Sequence, residues 1–261
     1  MRRPANRAKA TDMRDTGIQV CSRWLFNCYV VVDGGSGHPL VVDPGLPITT
    51  RDAARLLERL PRPALLTATH AHSDHVGGMP WLQRCCGAPI YLTAKVRDFL
   101  AGERAKAPGL RDLARIHPML GEQPFSARAL FQWLATAGRE GYGVSDRFRF
   151  SAQVEGFLED GDRLPGAPDW EVILAPGHSA CSACFWNRWT RTLISGDAVL
   201  TLRGRAWFTP DLVDEAAMDH TEDRLRGFRV EHLLPGHGRP IHGENLMSTA
   251  WSWREKPIRS G

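Results

Sequence analysis

The run Thr69-His70-Ala71-His72-Ser73-Asp74-His75 packs three imidazoles and one carboxylate into a single short stretch. Imidazole nitrogen is a borderline-soft donor suited to Zn2+, and a carboxylate adds a hard, anionic oxygen. In an extended turn His70 and His72 point the same way, so both can reach one ion. Asp74 and His75 begin the next element and can face a second ion beside the first. Any one of these histidines alone reads as a hydrogen-bonded polar residue; it is their density that points to a metal. More donors follow in a similar setting. Ala175-Pro176-Gly177-His178-Ser179, Ser195-Gly196-Asp197 and Leu234-Pro235-Gly236-His237-Gly238 each follow a strand-like run, and Val41-Val42-Asp43-Pro44-Gly45 ends one.

This set of motifs resembles the metallo-β-lactamase-fold hydrolase superfamily. Residues His70 to His75 match its H-x-H-x-D-H signature, His178 lies in its PGH[ST] motif, Asp197 in its GD motif and His237 in its C-terminal PGH motif. The matches run from Asp43 to His237. The resemblance implies an α/β chain folded as a four-layer αβ/βα sandwich. It also implies that His70, His72 and His178 hold one metal, that Asp74, His75 and His237 hold another, and that Asp197 bridges them. Asp43 would orient these ligands by hydrogen bonding. The implied cofactor is two Zn2+ per chain, with iron or manganese as alternatives. A hydroxide shared by two such cations is a strong nucleophile, because a bound cation lowers the pKa of water from about 15.7 to about 7. Asp74 is the candidate catalytic residue, both ligating and accepting the nucleophile's proton. The expected reaction is hydrolysis of a carbonyl ester, thioester or lactone, as in glyoxalase II-like and lactonase-like members.

Two other chemistries share the motifs. β-Lactamases of this fold usually lack the bridging carboxylate, so Asp197 weighs against β-lactam hydrolysis. Persulfide dioxygenases use one Fe(II) in an open two-His, one-carboxylate site, which His70, His178 and Asp197 could form here. A third class, a binding protein without turnover, would keep the fold and need none of the ligands.

The elements that position these residues follow from periodicity. The sequence predicts strands over 18–25, 27–33 and 39–43, the last two joined by the hairpin signal Gly34-Gly35-Ser36-Gly37. A helix capped by Thr49 or Thr50 should run to Leu60, with Ala53, Leu56, Leu57 and Leu60 on one face. A buried strand over 64–68 leads into the histidine run; a helix over 75–86, a strand over 89–92 and a helix capped by Thr93 follow. Residues 102–150 break the alternation with helix-like pieces at 110–116 and 126–137 and many aromatics, and read as a helical insertion or cap. Strands are expected again at 154–158, 170–175, 184–186, 192–195 and 232–234, and helices at 213–227 and 243–254. The domain reading is a flexible basic tail over 1–15 and one domain over 16–261.

Composition adds mainly exclusions. Against 29 acidic residues stand 33 basic ones, a formal charge of +4 over 261 residues, too slight to argue for nucleic acid. No stretch approaches the roughly 18–20 apolar residues of a membrane span, and no apolar segment of a secretory signal follows the basic N-terminus. The six cysteines are too sparse for a disulfide scaffold; Cys85-Cys86 suits a buried helical pair, and Cys181-Ser-Ala-Cys184 lacks the context of a metal or redox motif. These features predict a cytoplasmic protein acting on a small molecule with an acyl group or negative charge, and leave a homodimer open. Two stretches could wall the substrate site: the mildly basic, aromatic insertion, and 202–208 with Arg203, Arg205, Trp207 and Phe208.

Overall fold

A computed structural model describes residues 16–255 apart from 108, 110–113 and 144. The first sheet holds β1 (Ile18–Arg23), β2 (Phe26–Val31), β3 (Leu40–Val42), β4 (Leu65–Thr67), β5 (Ile90–Thr93) and β6 (Gly156–Leu158), side by side in chain order. Strands β1 to β3 pair antiparallel and β3 to β6 pair parallel. In the second sheet β7 (Arg163–Leu164), β8 (Ala167–Leu174), β9 (Ala183–Asn187), β10 (Thr192–Gly196), β13 (His232–Pro235) and β14 (Ile241–His242) lie in the order β14-β13-β10-β9-β8-β7. Between β10 and β13 the chain makes a separate hairpin, β11 (Val199–Leu202) and β12 (Arg205–Phe208). The stretch expected as a wall at 202–208 is therefore mostly β12 of this hairpin, with Trp207 and Phe208 buried.

Period-two alternation explains why β2 is buried along its whole length. Its Tyr29 and Val31 face Trp170, Phe185 and Ile194 of the second sheet, while Cys28 and Val30 face the other way, towards helices. Those helices are α1 (Pro47–Leu57) and α3 (Met79–Cys86), which bring Ala53, Leu57, Met79 and Leu82 against Val41, Leu66 and Ile90. On the far side of the second sheet, Met218 and Leu225 of a helix over Glu215–Arg226 pack on Ile173, Cys184 and Leu233. Each fully buried side chain of this size contributes roughly 1.5–3 kcal/mol. The outcome is the expected α/β four-layer αβ/βα sandwich.

Several local expectations change. The helix over 75–86 is two pieces, α2 (Ser73–Val76) and α3, because Gly78 N donates to Pro44 O and Pro80 starts a new helix. Helix α1 begins at Pro47 rather than after a Thr49 or Thr50 cap, and the next helix, α4 (Lys95–Leu100), starts after Ala94. Cys85 is exposed and Cys86 half-buried, since the core-facing side of α3 is Met79 and Leu82. The helix over 243–254 reduces to one 3-10 turn at Leu246–Thr249; Trp251 instead pairs with β12, exchanging hydrogen bonds with Ala206 and Phe208. Within 102–150, a helix α5 (Ala127–Thr136) is capped by Ser126, whose side chain accepts from Ala129 N. The piece at 110–116 lies largely outside the described residues, as does the tail over 1–15. The helix over Glu215–Arg226, α6, is capped by Asp214. No helix among the described residues is long and apolar enough to cross a membrane.

Candidate metal centre

Strands β3 and β4 run parallel, and so do β8, β10 and β13, the first of these through the antiparallel β9. Asp43 and the run 69–75 therefore leave the first sheet at one edge, and His178, Asp197 and His237 leave the second at its corresponding edge. Binding sites in such sheets form beyond the carboxyl ends of strands. The structure brings all seven sequence-selected donors together there, as the sets His70, His72, His178; Asp74, His75, His237; and His70, His75, Asp197.

In the first set, His72 Nδ1 lies 2.9 Å from His70 Nε2 and 3.1 Å from His178 Nε2. In the second, Asp74 Oδ2 lies 3.4 Å from His237 Nε2 and 3.9 Å from His75 Nε2. Asp197 stands between them: Oδ2 is 3.5 Å from His178 Nε2 and 3.2 Å from His237 Nε2, and Oδ1 is 3.6 Å from His75 Nε2.

Outer partners fix which nitrogen faces inward in three of the five rings. His178 Nδ1 donates to Asp211 O at 2.7 Å, and His237 Nδ1 to Leu25 O at 3.0 Å. Thr69 Oγ1 donates to Asp43, 2.9 Å from Oδ2, so it accepts from His70 Nδ1 at 3.3 Å. A neutral ring that donates through Nδ1 keeps its lone pair on Nε2. Three Nε2 atoms, those of His70, His178 and His237, thus face the same space. Buried His75 Nε2 and Asp197 Oδ1 have no hydrogen-bond partner, an expensive arrangement unless a cation satisfies them. This donor set fits two divalent cations.

Electrostatics divide the rings. Burial, then the neighbouring His75, pushes His70 well below the usual imidazole range. Burial, then His178, takes His72 down to about 3. Burial alone would also lower His75 and His237, but carboxylates outweigh it: Asp43 and Asp197 raise His75 well up, and Asp197 and Asp74 hold His237 at about 10. Against the raising effect of burial, His75 and His237 hold Asp74 at about 2, and the same rings keep Asp197 well below the carboxylate range. His70 and His72 are ready ligands, and the carboxylates that raise His75 and His237 would equally draw a cation to those rings.

Two supports could not be found from motifs. Tyr142 returns the 102–150 segment to the histidine run: Tyr142 N donates to Ala71 O, Ser73 N donates to Tyr142 O, and its ring lies 4.5 Å from that of His72. Gly141 permits this approach, with φ +76° and no room for a Cβ, which would lie 2.7 Å from Ser73 N. Asp211 contributes a backbone carbonyl, for which residue type carries no signal. Gly236 is equally constrained, since a Cβ there would stand 2.2 Å from Asp197 Oδ1.

A family model described as "Metallo-beta-lactamase superfamily" matches residues 24–237, and the chain belongs to that superfamily. Its class is that of a metal-dependent hydrolase. Among similar proteins is a probable metallo-hydrolase, YflN, of Bacillus subtilis, 24% identical over 259 residues and covering 89% of this chain and 88% of its own. The acyl-coenzyme A thioesterase MBLAC2 of Bos taurus is 28% identical over 240 residues, covering 85% of this chain and 77% of its own. Among solved structures, TTHA1623 in a di-iron-bound form aligns with TM-score 0.55 at 25% identity, covering 86% of this chain and 93% of its own. The BLEG-1 B3 metallo-beta-lactamase aligns with TM-score 0.60 at 18% identity, covering 94% of this chain and 100% of its own, a likeness of fold.

Proposed function

We propose that this chain is a zinc-dependent hydrolase of a carbonyl ester, thioester or lactone. His70, His72 and His178 hold one cation, Asp74, His75 and His237 the second, and Asp197 lies between. The observation that carries this reading is the inward turn of three Nε2 atoms, set by Thr69, Asp211 and Leu25, beside unpartnered His75 Nε2 and Asp197 Oδ1. The thioesterase activity named for MBLAC2 supports the choice of reaction. The mononuclear alternative on His70, His178 and Asp197 leaves the convergence of Asp74, His75 and His237 without a purpose.

Cations bound there supply Lewis acidity for the scissile carbonyl and a nucleophile at neutral pH. The protein's own residues do the rest. Asp74 is held ionised by His75 and His237, and its side chain is among the more exposed of the donors, so it accepts the proton released on attack and hands it to the leaving group. The Tyr142 ring covers His72 and keeps water from that flank. The 102–150 segment serves as a cap, with α5 resting on α1 and α2. The test is a panel of thioesters, lactones, simple esters and a chromogenic β-lactam offered to zinc-loaded protein, His72→Ala and Asp197→Ala. The reading expects carbonyl hydrolysis by the parent alone; wild-type rates in either variant would end it.

A further inference from the structure

Coverage of the metal centre is uneven. The side chains of His70, His75 and His178 are 1–2% exposed, whereas Asp74 and His237 reach 13%, so the centre opens on their side. What adjoins that opening is aromatic. The Phe26 ring meets His237 edge-on at 5.5 Å, Trp24 follows at 6.0 Å from Phe26, and Phe125 at 5.0 Å from Trp24. Trp133 of α5 flanks Phe26 at 6.4 Å. The turn carrying Trp24 and the cap carrying Phe125 and Trp133 thus meet in a run of aromatic rings that starts at a candidate ligand. Phe125 at the outer end is 63% exposed, and Phe26 at the inner end 6%. Two polar atoms beside it already have partners: Trp24 Nε1 donates to Leu120 O, and Gln132 Oε1 accepts from Ile48 N.

We propose that this track is the acyl subsite of the enzyme, and that it selects substrates with an unbranched, uncharged alkyl chain of medium length. The inference rests on the hydrolase reading for its reaction, but concerns the substrate's apolar half. A carbonyl placed near Asp74 and His237 sends its chain along this run of rings, past Phe26 and Trp24 towards Phe125. A charged acyl group would lose its hydration there without gaining a partner. The outer face of α5 is also apolar, with Phe131 69% and Leu134 55% exposed, but it points away from the buried Ala129 and does not meet the centre. Continuity with His237 favours the inner track.

The test is calorimetric binding of straight-chain alkanoates, from butanoate to decanoate, to the zinc-loaded protein, read without turnover. Burying a methylene fully is worth about 0.8 kcal/mol, about fourfold in affinity; a half-open track should give about twofold per methylene. The dependence on chain length should flatten in Trp133→Ala. It should weaken in Phe125→Ser, a change at an exposed position that leaves folding intact. It should persist in the double variant Phe131→Ser, Leu134→Ser. A flat series in the parent, or loss of the slope only in the double variant, overturns the subsite. Flat binding with hydrolysis of short thioesters retained removes this inference and leaves the hydrolase reading standing; graded binding without hydrolysis of any carbonyl substrate does the reverse.

Discussion

Asp43→Asn isolates the part of the centre that orients ligands without touching a cation. Asp43 is fully buried; it accepts from Thr69 N at 2.7 Å and Thr69 Oγ1 at 2.9 Å, and stands 3.1 Å from His75 Nδ1. Its backbone has φ 55°, a left-handed conformation asparagine tolerates, so the substitution adds little strain. Asparagine keeps an oxygen for Thr69 N but brings an NH2 group to the remaining contacts, and the negative charge disappears. His75 loses its orienting carboxylate, and the relay from His70 Nδ1 through Thr69 Oγ1 loses its terminal acceptor. Removing an outer partner of this kind typically costs about 10–100-fold in metal affinity, or about 1.4–2.8 kcal/mol. The assay is competition of metal-free protein with a chromogenic zinc chelator, with thermal unfolding as a check on the fold. Both zinc equivalents should weaken, the one involving His75 more. A folded Asp43→Asn variant that binds both equivalents with parental affinity would refute the orienting role.

Gly236→Ala places a methyl 2.2 Å from Asp197 Oδ1 and 2.7 Å from His75 Cε1, so the protein should fold yet lose about a hundredfold in activity, checked by kcat/KM and zinc content. Gly141→Ala forces a side chain into φ +76° and against Ser73, threatening the two hydrogen bonds that tie Tyr142 to the histidine run. Urea unfolding should register a loss of about 2–4 kcal/mol. Although burial raises Asp160, Arg224 at 2.8 Å and Leu174 N at 2.8 Å outweigh it and hold its carboxyl below the usual carboxylate range. A depressed folded-state pKa gives stability present above the unfolded value and lost as pH falls through the folded one, so Asp160→Asn should flatten the acid limb of a stability–pH curve.

The ligand motifs were legible because each is short and ends a strand, and strand direction alone then carries His178, Asp197 and His237 to one edge. The layers were legible for a related reason: β2 is apolar on both faces, as a strand between another sheet and helices must be. Where tertiary pairing outweighs local pattern, the sequence misleads. Trp251 joins β12 instead of continuing a helix, and Gly78 N turns to Pro44 O, splitting a helix that periodicity drew as one. Tyr142 is hidden for another reason. Its role depends on the register between 141–142 and 71–73, a long-range pairing with no motif of its own. Likewise, the carbonyls of Leu25 and Asp211 are backbone groups, and any residue supplies one.

We propose that hydrolysis depends on two cations held by five histidines and two aspartates. The most direct measurement is zinc per chain by elemental analysis through a chelation and reloading series, with thioester hydrolysis and O2 uptake followed on the same samples. Two equivalents at full activity, none after chelation, recovery on reloading and no O2 consumption are expected. Hydrolysis that survives complete cation removal, or one equivalent of iron with O2 uptake, would contradict the claim.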